Sequence, residues 1–414
     1  MRFLDDLAAR RRFGMKPGLD AIRALVAALG HPERRLRAVH VAGTNGKGAV
    51  CAMLDAALRA DGTHRVGRYT SPHLVCLNER FFLDGAPVDD ETLERAAGRV
   101  SRVAASGPLF SGLTFFEALT AVAFELYAEA NAGRVVLECG LGGRLDATNV
   151  CEPELCVVTR IGLDHCDWLG DTVEKIASEK AGILKPGVPV VLGENVPSVR
   201  AVVEARAKDA GAPFLYAPDL ASEREIPAGF PLSGRFNREN AVTALAALKA
   251  LGLCGAPDFS GVVWPGRFQR VGNFIVDGAH NPPAARALAE ALSEVVPQGE
   301  RLDLVFGACG DKDVGEVLRT LRPYVRRAFA VRTNNPRSLA PDALAGRMCA
   351  EGLDAHPAES LAEALAKSAE SPRALVCGSL FLAGEALAHL GALPWAARRF
   401  DPSELLHGER ARTG

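Results

Sequence analysis

The 414-residue sequence has no excess of charge of one sign and no hydrophobic run long enough to cross a membrane. Its 48 Lys and Arg residues nearly balance 50 Asp and Glu residues, which argues against nucleic-acid binding through bulk electrostatics. The best membrane-span candidate, residues 118–130, is interrupted by Glu125 and Glu129, and residues 1–14 contain no apolar signal core. We therefore expect a cytosolic protein without membrane or nucleic-acid partners.

Patterns typical of zinc sites and dinucleotide sites are also missing. The 10 Cys residues include no C-x-x-C pair, and no two His residues stand at zinc-ligand spacing. The glycine-rich segment CGLGGRLD has Leu145 where a dinucleotide fingerprint needs its third Gly, and FGACGDKD fails the same test. These absences disfavour a disulfide framework, a zinc protein and a Rossmann oxidoreductase.

What the chain does contain is a long alternation of apolar runs and helical patterns, which is typical of an α/β fold with parallel sheets. Strands are predicted at 37–42, 134–139, 155–161 and 189–192, and in a second series at 274–276, 302–306, 328–331 and 374–377. Helices are predicted at 48–61, 115–131 and 172–184, then at 283–296, 314–321, 341–351 and 380–389. For the helix at 172–184, Asp171 and Glu174 predict the N-terminal cap.

A break in the alternation separates the two series. The segment Trp264-Pro265-Gly266-Arg267 contains a Pro-Gly pair, which ends any helix or strand. At about 150 residues per domain, the length allows two to three domains. We expect a larger domain over residues 1–265, a hinge at 266–272 and a smaller domain over 273–414.

The sharpest local signal is VHVAGTNGKGA at residues 39–49, where a predicted strand enters a glycine-rich turn and then a helix. Backbone N–H groups of such a turn converge on an anion, and Lys47 adds a mobile positive charge. Gly48 stands where a P-loop usually has the hydroxyl that binds magnesium. The segment predicts a phosphate site whose metal ligands lie elsewhere; an ordinary strand-to-helix turn with a solvated lysine is the alternative.

Three residues offer those metal ligands. Ser71 lies in the segment YTSPHL, Glu138 ends a predicted strand, and His165 follows another. Ligands of open parallel sheets gather at the carboxyl ends of the strands, where Glu138 and His165 are both expected. Each residue alone is equally typical of a turn, a surface or a loop position, so the prediction of a Mg²⁺ site depends on the three together.

These segments together resemble the folylpolyglutamate synthase/dihydrofolate synthase family of the Mur-ligase superfamily. The matching pieces, in the order typical of the family, are HVAGTNGKG, YTSPHL…NER, TFFEALTA, LECGLGGRLDATNV, IGLDH…LGDTVEKIASEKAGILKPGVPVV, WPGRFQ, DGAHNPPAARAL and CGSLFLAGE. The resemblance implies an N-terminal P-loop-type ATPase domain with a parallel sheet, and a smaller C-terminal Rossmann-like α/β domain. It places the site in the cleft between them.

The resemblance also implies a reaction. A member of this family uses ATP and Mg²⁺ to add L-glutamate to dihydropteroate or to folates. A second Mg²⁺ or a K⁺ beside the first ion is a further expectation that the residues leave open. The reaction passes through an acyl phosphate. The residues do not decide between a bifunctional enzyme and a monofunctional one, and we expect a monomer.

Site residues follow from the same resemblance. The nucleotide contacts are Thr44, Asn45, Gly46, Lys47, Asn240, Arg267 and Asp277, and the magnesium ligands are Ser71, Glu138 and His165. The pterin pocket comprises Lys16, Pro17, Gly18, Thr114, Phe115, Phe116, Glu117, Leu145, Asp146 and Ala147. Lys47, Lys180 and His280 form the catalytic set, in which Lys180 is similar to a lysine carried as a carbamate, and His280 lies on the glutamate side.

Two residues depart from the family pattern, and three other functions are alternatives to the implied reaction. Ala49 stands where the family usually has Ser, and Cys76 where it often has a basic residue. A P-loop kinase or ATPase would lack the ligase step, and a binding protein would have lost catalysis. A peptidoglycan-precursor ligase would need a further N-terminal domain, for which too little chain precedes the strand predicted at 37–42.

Overall fold

A computed structural model describes residues 18–107, 112–253, 255, 257–310 and 314–395. The strands in chain order are β1 (Ala38–Ala42), β2 (Val66–Tyr69), β3 (Phe81–Leu83), β4 (Ala86–Pro87), β5 (Arg134–Glu138), β6 (Pro153–Val158), β7 (Val190–Leu192), β8 (Phe214–Tyr216), β9 (Gln269–Val271), β10 (Phe274–Val276), β11 (Leu302–Phe306), β12 (Val325–Ala330), β13 (Ala355–Pro357) and β14 (Ala374–Cys377). The α-helices are α1 (Asp20–Ala28), α2 (Lys47–Ala60), α3 (Asp90–Ala104), α4 (Phe115–Glu129), α5 (Cys166–Leu169), α6 (Val173–Lys180), α7 (Pro197–Ala210), α8 (Ala217–Leu220), α9 (Arg235–Ala250), α10 (Pro282–Val295), α11 (Val314–Leu321), α12 (Pro341–Ala350), α13 (Leu361–Ala369) and α14 (Leu380–His389).

The first sheet is mainly parallel and has β1 near its centre. Over the described residues it has eight strands in the order β4-β3-β2-β5-β1-β6-β7-β8, and only β3 runs antiparallel to its two neighbours. Val41 of β1 lies opposite Glu138 of β5 and Val157 of β6. Because parallel strands end at one edge of a sheet, the segments that follow β1, β5 and β6 emerge together.

Helices cover both faces of this sheet, which explains why its central strands are apolar throughout. Val135 and Leu137 of β5 pack with residues of α1, α3 and α4, whereas Val136 packs with residues of α2 and α9 on the opposite face. Every residue of β1 and of β5 is buried. This arrangement agrees with the expectation from continuous apolar runs.

The second sheet is formed by the chain after Trp264. In the described part of the chain it has six strands in the order β13-β12-β11-β14-β10-β9, and only β9 is antiparallel to its neighbour. Asp277 follows β10 and Gly378 follows β14, at the same edge of the sheet. Two mainly parallel α/β sheets confirm the predicted fold class. Among the described residues, no helix has both the length and the apolarity that a membrane crossing requires.

Most of the predicted elements are present, with shifted ends. The strand predicted at 155–161 ends at Val158, because the Arg160 carbonyl instead accepts the N–H groups of Thr44 and Asn45. The strand predicted at 328–331 begins at Val325; Arg326 and Arg327 hide its start because both pair with the buried Asp303. The helix predicted at 172–184 ends as an α-helix at Lys180 and continues as a 3₁₀ turn over Ala181–Ile183.

The predicted cap of α6 is wrong by one residue. The Thr172 side chain, not that of Asp171, accepts the backbone N–H of Lys175, at 3.3 Å. Asp171 instead receives the ammonium group of Lys175 at 2.8 Å, and Glu174 does not complete a capping box. Thr172 has the extended backbone, φ −129° and ψ 155°, that suits the residue before a helix.

This cap assignment can be tested with two adjacent alanine variants. Thr172→Ala should lower the free energy of unfolding by about 1 kcal/mol, because a first-turn N–H loses its acceptor. Asp171→Ala serves as the control and should leave the urea midpoint close to that of the wild type, since an exposed ion pair contributes little. A larger loss in Asp171→Ala than in Thr172→Ala would contradict the assignment.

Candidate functional site

A single cleft of about 1290 Å³ is lined by residues from both sides of Trp264. We call the described residues before Trp264 the N-terminal part and those after it the C-terminal part. The predicted site residues that line the cleft are Gly18, Thr44, Asn45, Gly46, Lys47, Ser71, Thr114, Phe115, Phe116, Glu117, Glu138, Leu145, Asp146, Ala147, His165, Asn240, Arg267, Asp277 and His280. Lys180 is not among the lining residues, and Lys16 and Pro17 lie outside the described residues.

The glycine-rich turn after β1 is shaped by close packing. Gly46 caps α2 with φ 87°, and a Cβ at this position would lie 2.2 Å from the Asn240 Oδ1 atom. A Cβ on Gly48 would lie 2.1 Å from the indole of Trp264. Any larger residue at either position would therefore displace a neighbour. The start of α2, with its first-turn N–H groups and positive helix dipole, opens into the cleft.

Two N–H groups of the turn have protein acceptors. The backbone N–H groups of Thr44 and Asn45 donate to the Arg160 carbonyl, at 2.9 and 3.2 Å. The Thr44 hydroxyl donates to the Gly162 carbonyl and accepts the Gly162 N–H, both at 3.1 Å. These bonds fasten the turn to the segment after β6. The N–H groups that begin α2, rather than those of Thr44 and Asn45, are therefore the ones suited to an anion in the cleft.

A buried carboxylate faces the lysine of the turn. The Glu138 Oε1 atom lies 4.0 Å from Lys47 Nζ, while its Oε2 accepts the backbone N–H of Ser71 at 3.0 Å. Burial raises the pKa of Glu138, and the nearby positive charge of Lys47 opposes that shift. A cation bound beside Glu138 would further favour its charged form.

The residues present fit a magnesium ion that is carried by a nucleotide. Glu138, Ser71 and His165 offer a carboxylate, a hydroxyl and an imidazole to the same cleft. Within the described ranges, no group of three or more His, Cys, Asp or Glu residues is arranged to hold a metal ion. Bound Mg²⁺ usually keeps several water or phosphate oxygens among its ligands. An open set of three protein ligands therefore suits it better than a closed protein cage would.

Lys180 lies behind the turn, at the end of α6. Its side chain is only 4% exposed, and its Nζ donates to the Gly43 carbonyl at 2.7 Å. Burial, assisted by the positive charge of Lys47, lowers the pKa of Lys180 to about 7. The amine is therefore partly uncharged at neutral pH, which is unusual for lysine. No local pattern indicates this burial, because α6 resembles a half-solvated helix.

The C-terminal part contributes an arginine and an aspartate whose charges influence each other. Desolvation lowers the pKa of Arg267, whereas Asp277 and Glu138 oppose the shift, so the guanidinium is influenced by carboxylates on both sides of the cleft. The Asp277 carboxylate accepts the N–H groups of Phe268 and Ala279, at 2.7 and 2.8 Å. Burial raises the pKa of Asp277, and Arg267 opposes that rise.

The predicted pterin pocket has an aromatic wall at the start of α4. The Glu117 carboxylate accepts the Thr114 N–H and hydroxyl, both at 2.8 Å, and the Thr114 hydroxyl accepts the Glu117 N–H at 3.2 Å. This capping box uses the polar groups of both residues to begin the helix. It leaves Phe115 and Phe116 in the first turn, facing the cleft.

Asp146 is held by a buried network that sequence reasoning missed. Its carboxylate accepts the N–H groups of Leu141 and Thr148 and the Thr148 hydroxyl. The Thr148 hydroxyl oxygen lies 2.7 Å from His40 Nε2. The Thr148 hydroxyl proton goes to Asp146, and His40 Nε2 also lies 3.1 Å from Cys139 Sγ. The tautomer that satisfies this network carries its proton on Nε2, because a proton on Nδ1 would have no acceptor among the described residues. Burial lowers the pKa of His40 to about 3, so the ring is neutral, and its Nδ1 has no partner among the described residues.

Arg80 was missed as well. It is buried, it lines the cleft, and its Nε donates to His73 Nδ1 at 3.0 Å. Its guanidinium lies 5.6 Å from the centre of the Phe115 ring. The segment NER is one of the pieces that match the family. Nothing in its spacing indicates, however, that the Arg80 side chain points inward.

Comparisons with known proteins find relatives that match over most of the chain. The family description Mur ligase, glutamate ligase domain, matches residues 266–380. The dihydrofolate synthase/folylpolyglutamate synthase of Bacillus subtilis is 34% identical over 408 residues, which cover 90% of this chain and 94% of that protein. The structure of Escherichia coli FolC in complex with DHPP and ADP has 30% identity and a TM-score of 0.83, covering 94% of this chain and 98% of the other. A bifunctional folylpolyglutamate synthase/dihydrofolate synthase with Mn, AMPPNP and L-glutamate bound has 30% identity and a TM-score of 0.80, covering 93% and 97%.

The His40 network leads to a stability prediction. A glutamine amide can place its N–H near the position of His40 Nε2, whereas an asparagine amide reaches only the Nδ1 position, which has no partner in the described chain. His40→Asn should therefore lower the free energy of unfolding by about 1 to 3 kcal/mol more than His40→Gln does, because the Thr148 oxygen loses its donor. Urea denaturation of both variants measures the difference. Equal losses would contradict donation from Nε2.

Proposed function

The chain belongs to the dihydrofolate synthase/folylpolyglutamate synthase family of Mur ligases, and we propose that it uses ATP to couple L-glutamate to dihydropteroate, to folates, or to both. The relatives are ATP-dependent ligases. The observation that carries the proposal is the cleft itself. The glycine-rich turn and Glu138 face Arg267, Asp277 and His280 across one volume, so a nucleotide and an amino acid can be held together.

We propose that the first step activates the carboxylate of the pterin substrate. This carboxylate attacks the γ-phosphorus of ATP; an O–P bond forms, the bond to ADP breaks, and an acyl phosphate results. Both reactants are anionic, so positive charge must lie between them. Lys47, the start of α2 and Arg267 provide that charge. Glu138, Ser71 and His165 would hold Mg²⁺, which when bound neutralises phosphate charge.

In the second step the amine of glutamate displaces phosphate from the acyl phosphate through a tetrahedral intermediate. The amine must lose a proton, and we propose His280 as its acceptor. His280 Nδ1 lies 2.8 Å from the Gly278 carbonyl. A carbonyl only accepts, so Nδ1 carries a proton, and we assign Nε2 as the nitrogen that takes the proton from the amine. Exclusion of water by the surrounding cleft protects the acyl phosphate from hydrolysis.

We propose the domain division expected from the sequence, with residues 1–265 and 273–414 as domains and 266–272 as the hinge. Residues 269–271 form β9, which pairs with β10, so this stretch would move with the second sheet. A cytosolic monomer without nucleic-acid or membrane partners belongs to the same proposal. The near-neutral net charge supports the absence of a nucleic-acid partner.

We also propose that Lys180 becomes a carbamate. Its neutral amine attacks CO₂, an N–C bond forms, and one proton is released. The product is an anion close to Lys47 and to the proposed metal site, where it could serve a second Mg²⁺ or a K⁺. The lowered pKa of Lys180 supports the reaction, because only the uncharged amine is nucleophilic.

Carbamylation should therefore depend on pH in a defined direction. Since the pKa of Lys180 is about 7 instead of 10.5, the reactive neutral amine should increase as pH rises from about 6 to 8. Carbon-13 NMR in labelled bicarbonate should show a carbamate signal that grows over this range. The signal should vanish in Lys180→Met and persist in Lys175→Met, in which an exposed lysine is lost. A signal that survives Lys180→Met would contradict the assignment.

The proposed reaction is tested by phosphate release from ATP in the presence of Mg²⁺. Dihydropteroate and tetrahydrofolate are offered separately, each with and without L-glutamate. Release should require glutamate and at least one pterin, and the substrate pattern distinguishes a bifunctional from a monofunctional enzyme. A kinase or simple ATPase would release phosphate, or form a phosphorylated product, without glutamate.

Lys47→Ala tests the role of the glycine-rich turn in that assay. We expect kcat to fall by at least about 100-fold, because the charge that stabilises the transferred phosphoryl group is lost. Lys175→Ala removes an exposed lysine and should retain the wild-type rate. Glutamate coupling at the wild-type rate in Lys47→Ala would overturn the mechanism.

A further inference from the structure

Asn281 and Asp164 form a side-chain hydrogen bond inside the cleft. Other side-chain bonds that join the two parts of the chain include Arg235–Glu290, Arg238–Glu294 and Trp395–Glu79. The Nδ2 group of Asn281, in the C-terminal part, donates to the Oδ2 atom of Asp164 in the N-terminal part at 2.9 Å. The two residues are 117 positions apart in the sequence, and both line the cleft. Asn281 is only 3% exposed, so water competes little for this bond.

Asn281 uses both ends of its amide. Its Oδ1 accepts the backbone N–H of Ala284 at 2.9 Å and thereby caps α10, while its Nδ2 reaches Asp164. An N–H can only donate and a carboxylate can only accept, so the two bonds fix the orientation of the amide. Serine could cap the helix but could not bridge the cleft. Aspartate could cap it but would bring a second carboxylate against Asp164.

Both oxygens of the Asp164 carboxylate also accept hydrogen bonds. Its Oδ1 accepts the backbone N–H of His165 at 3.0 Å, while Oδ2 receives the Asn281 amide. His165 has a left-handed backbone with φ 52°, which costs free energy for a residue other than glycine. The bonds to Asp164 therefore connect the N-terminus of α10 to the strained residue that presents the imidazole.

Packing beside this bond is close. A Cβ added to Gly162 would lie 3.1 Å from Pro283 Cγ, so the segment that carries Asp164 and His165 lies directly against the first turn of α10. A side chain at position 162 would therefore require Pro283 to move by a few tenths of an ångström. The position of this segment is thus tied to the C-terminal part by one hydrogen bond and one tight apolar contact.

We propose that Asn281 is a positioning residue that holds the His165 segment in place across the cleft. The metal–nucleotide site is then complete only when the C-terminal part lies where the structure has it. The inference rests on the proposed function, because it takes His165 as a ligand of nucleotide-bound metal. It also means that metal affinity and the arrangement of the two parts are thermodynamically coupled.

Mn²⁺ binding in the presence of ADP gives a readout that does not need turnover. The full-length protein is titrated with Mn²⁺ at saturating ADP, and free Mn²⁺ is measured by electron paramagnetic resonance. Asn281→Ser keeps a helix cap but loses the bridging donor, so we expect Mn²⁺ to bind at least about fivefold more weakly. Ser360→Ala removes the cap of α13, which lies outside the cleft, and should bind Mn²⁺ as the wild type does.

A double-mutant cycle separates positioning from a general loss of packing. Asp164→Ala should weaken Mn²⁺ binding, and adding Asn281→Ser to it should cause little further loss, because the shared bond is already gone. Additive losses, or wild-type Mn²⁺ affinity in Asn281→Ser, would overturn the inference. If the wild type shows no glutamate-dependent phosphate release, the proposed function fails. If it does show that release while the cycle is additive, only the role of Asn281 fails.

Discussion

The structure depends on charged groups that are held away from water where the edges of two sheets meet. Glu138 ends β5 with its pKa raised by burial, and Asp277 follows β10 with its pKa raised for the same reason. Lys47 lies beside the first, and Arg267 is influenced by both carboxylates. These cations favour the charged forms of both carboxylates and so oppose the effect of burial. The near-zero net charge of the chain therefore conceals a cleft in which opposite charges are concentrated.

The segment that connects the two sheets also positions residues of the cleft. Trp264 packs so closely on α2 that no side chain fits at Gly48, and the Arg267 guanidinium lies 5.9 Å from the centre of its ring. The buried Arg68 of β2, paired with Asp55 of α2, approaches the same indole at 5.6 Å. The glycine-rich turn and Arg267 are thus both positioned by one aromatic residue of the connecting segment.

Sequence reasoning was most successful where burial leaves a continuous local pattern, as in β1, β5 and β11. It failed where the deciding contacts join residues far apart in the chain. His40 and Thr148 are separated by 108 positions, and their bond has no local signature. The charged start of β12 has the sequence pattern of a surface segment. It belongs to the strand because Arg326 pairs with the buried Asp303. Lys180 likewise has an ordinary helical context, and only the tertiary contact with the Gly43 carbonyl shows that its amine is buried.

The absence of a hydroxyl after Lys47 has a steric cause. A serine or threonine at position 48 would collide with the Trp264 indole, since even a Cβ would lie 2.1 Å from it. The turn therefore cannot supply the metal ligand that P-loops usually place there. The proposed metal site must then take its hard ligands from neighbouring strands at the same sheet edge, where the Glu138 carboxylate accepts the Ser71 N–H. A tight contact with the connecting segment thus explains why the proposed metal site draws its ligands from the strands beside the turn and not from the turn itself.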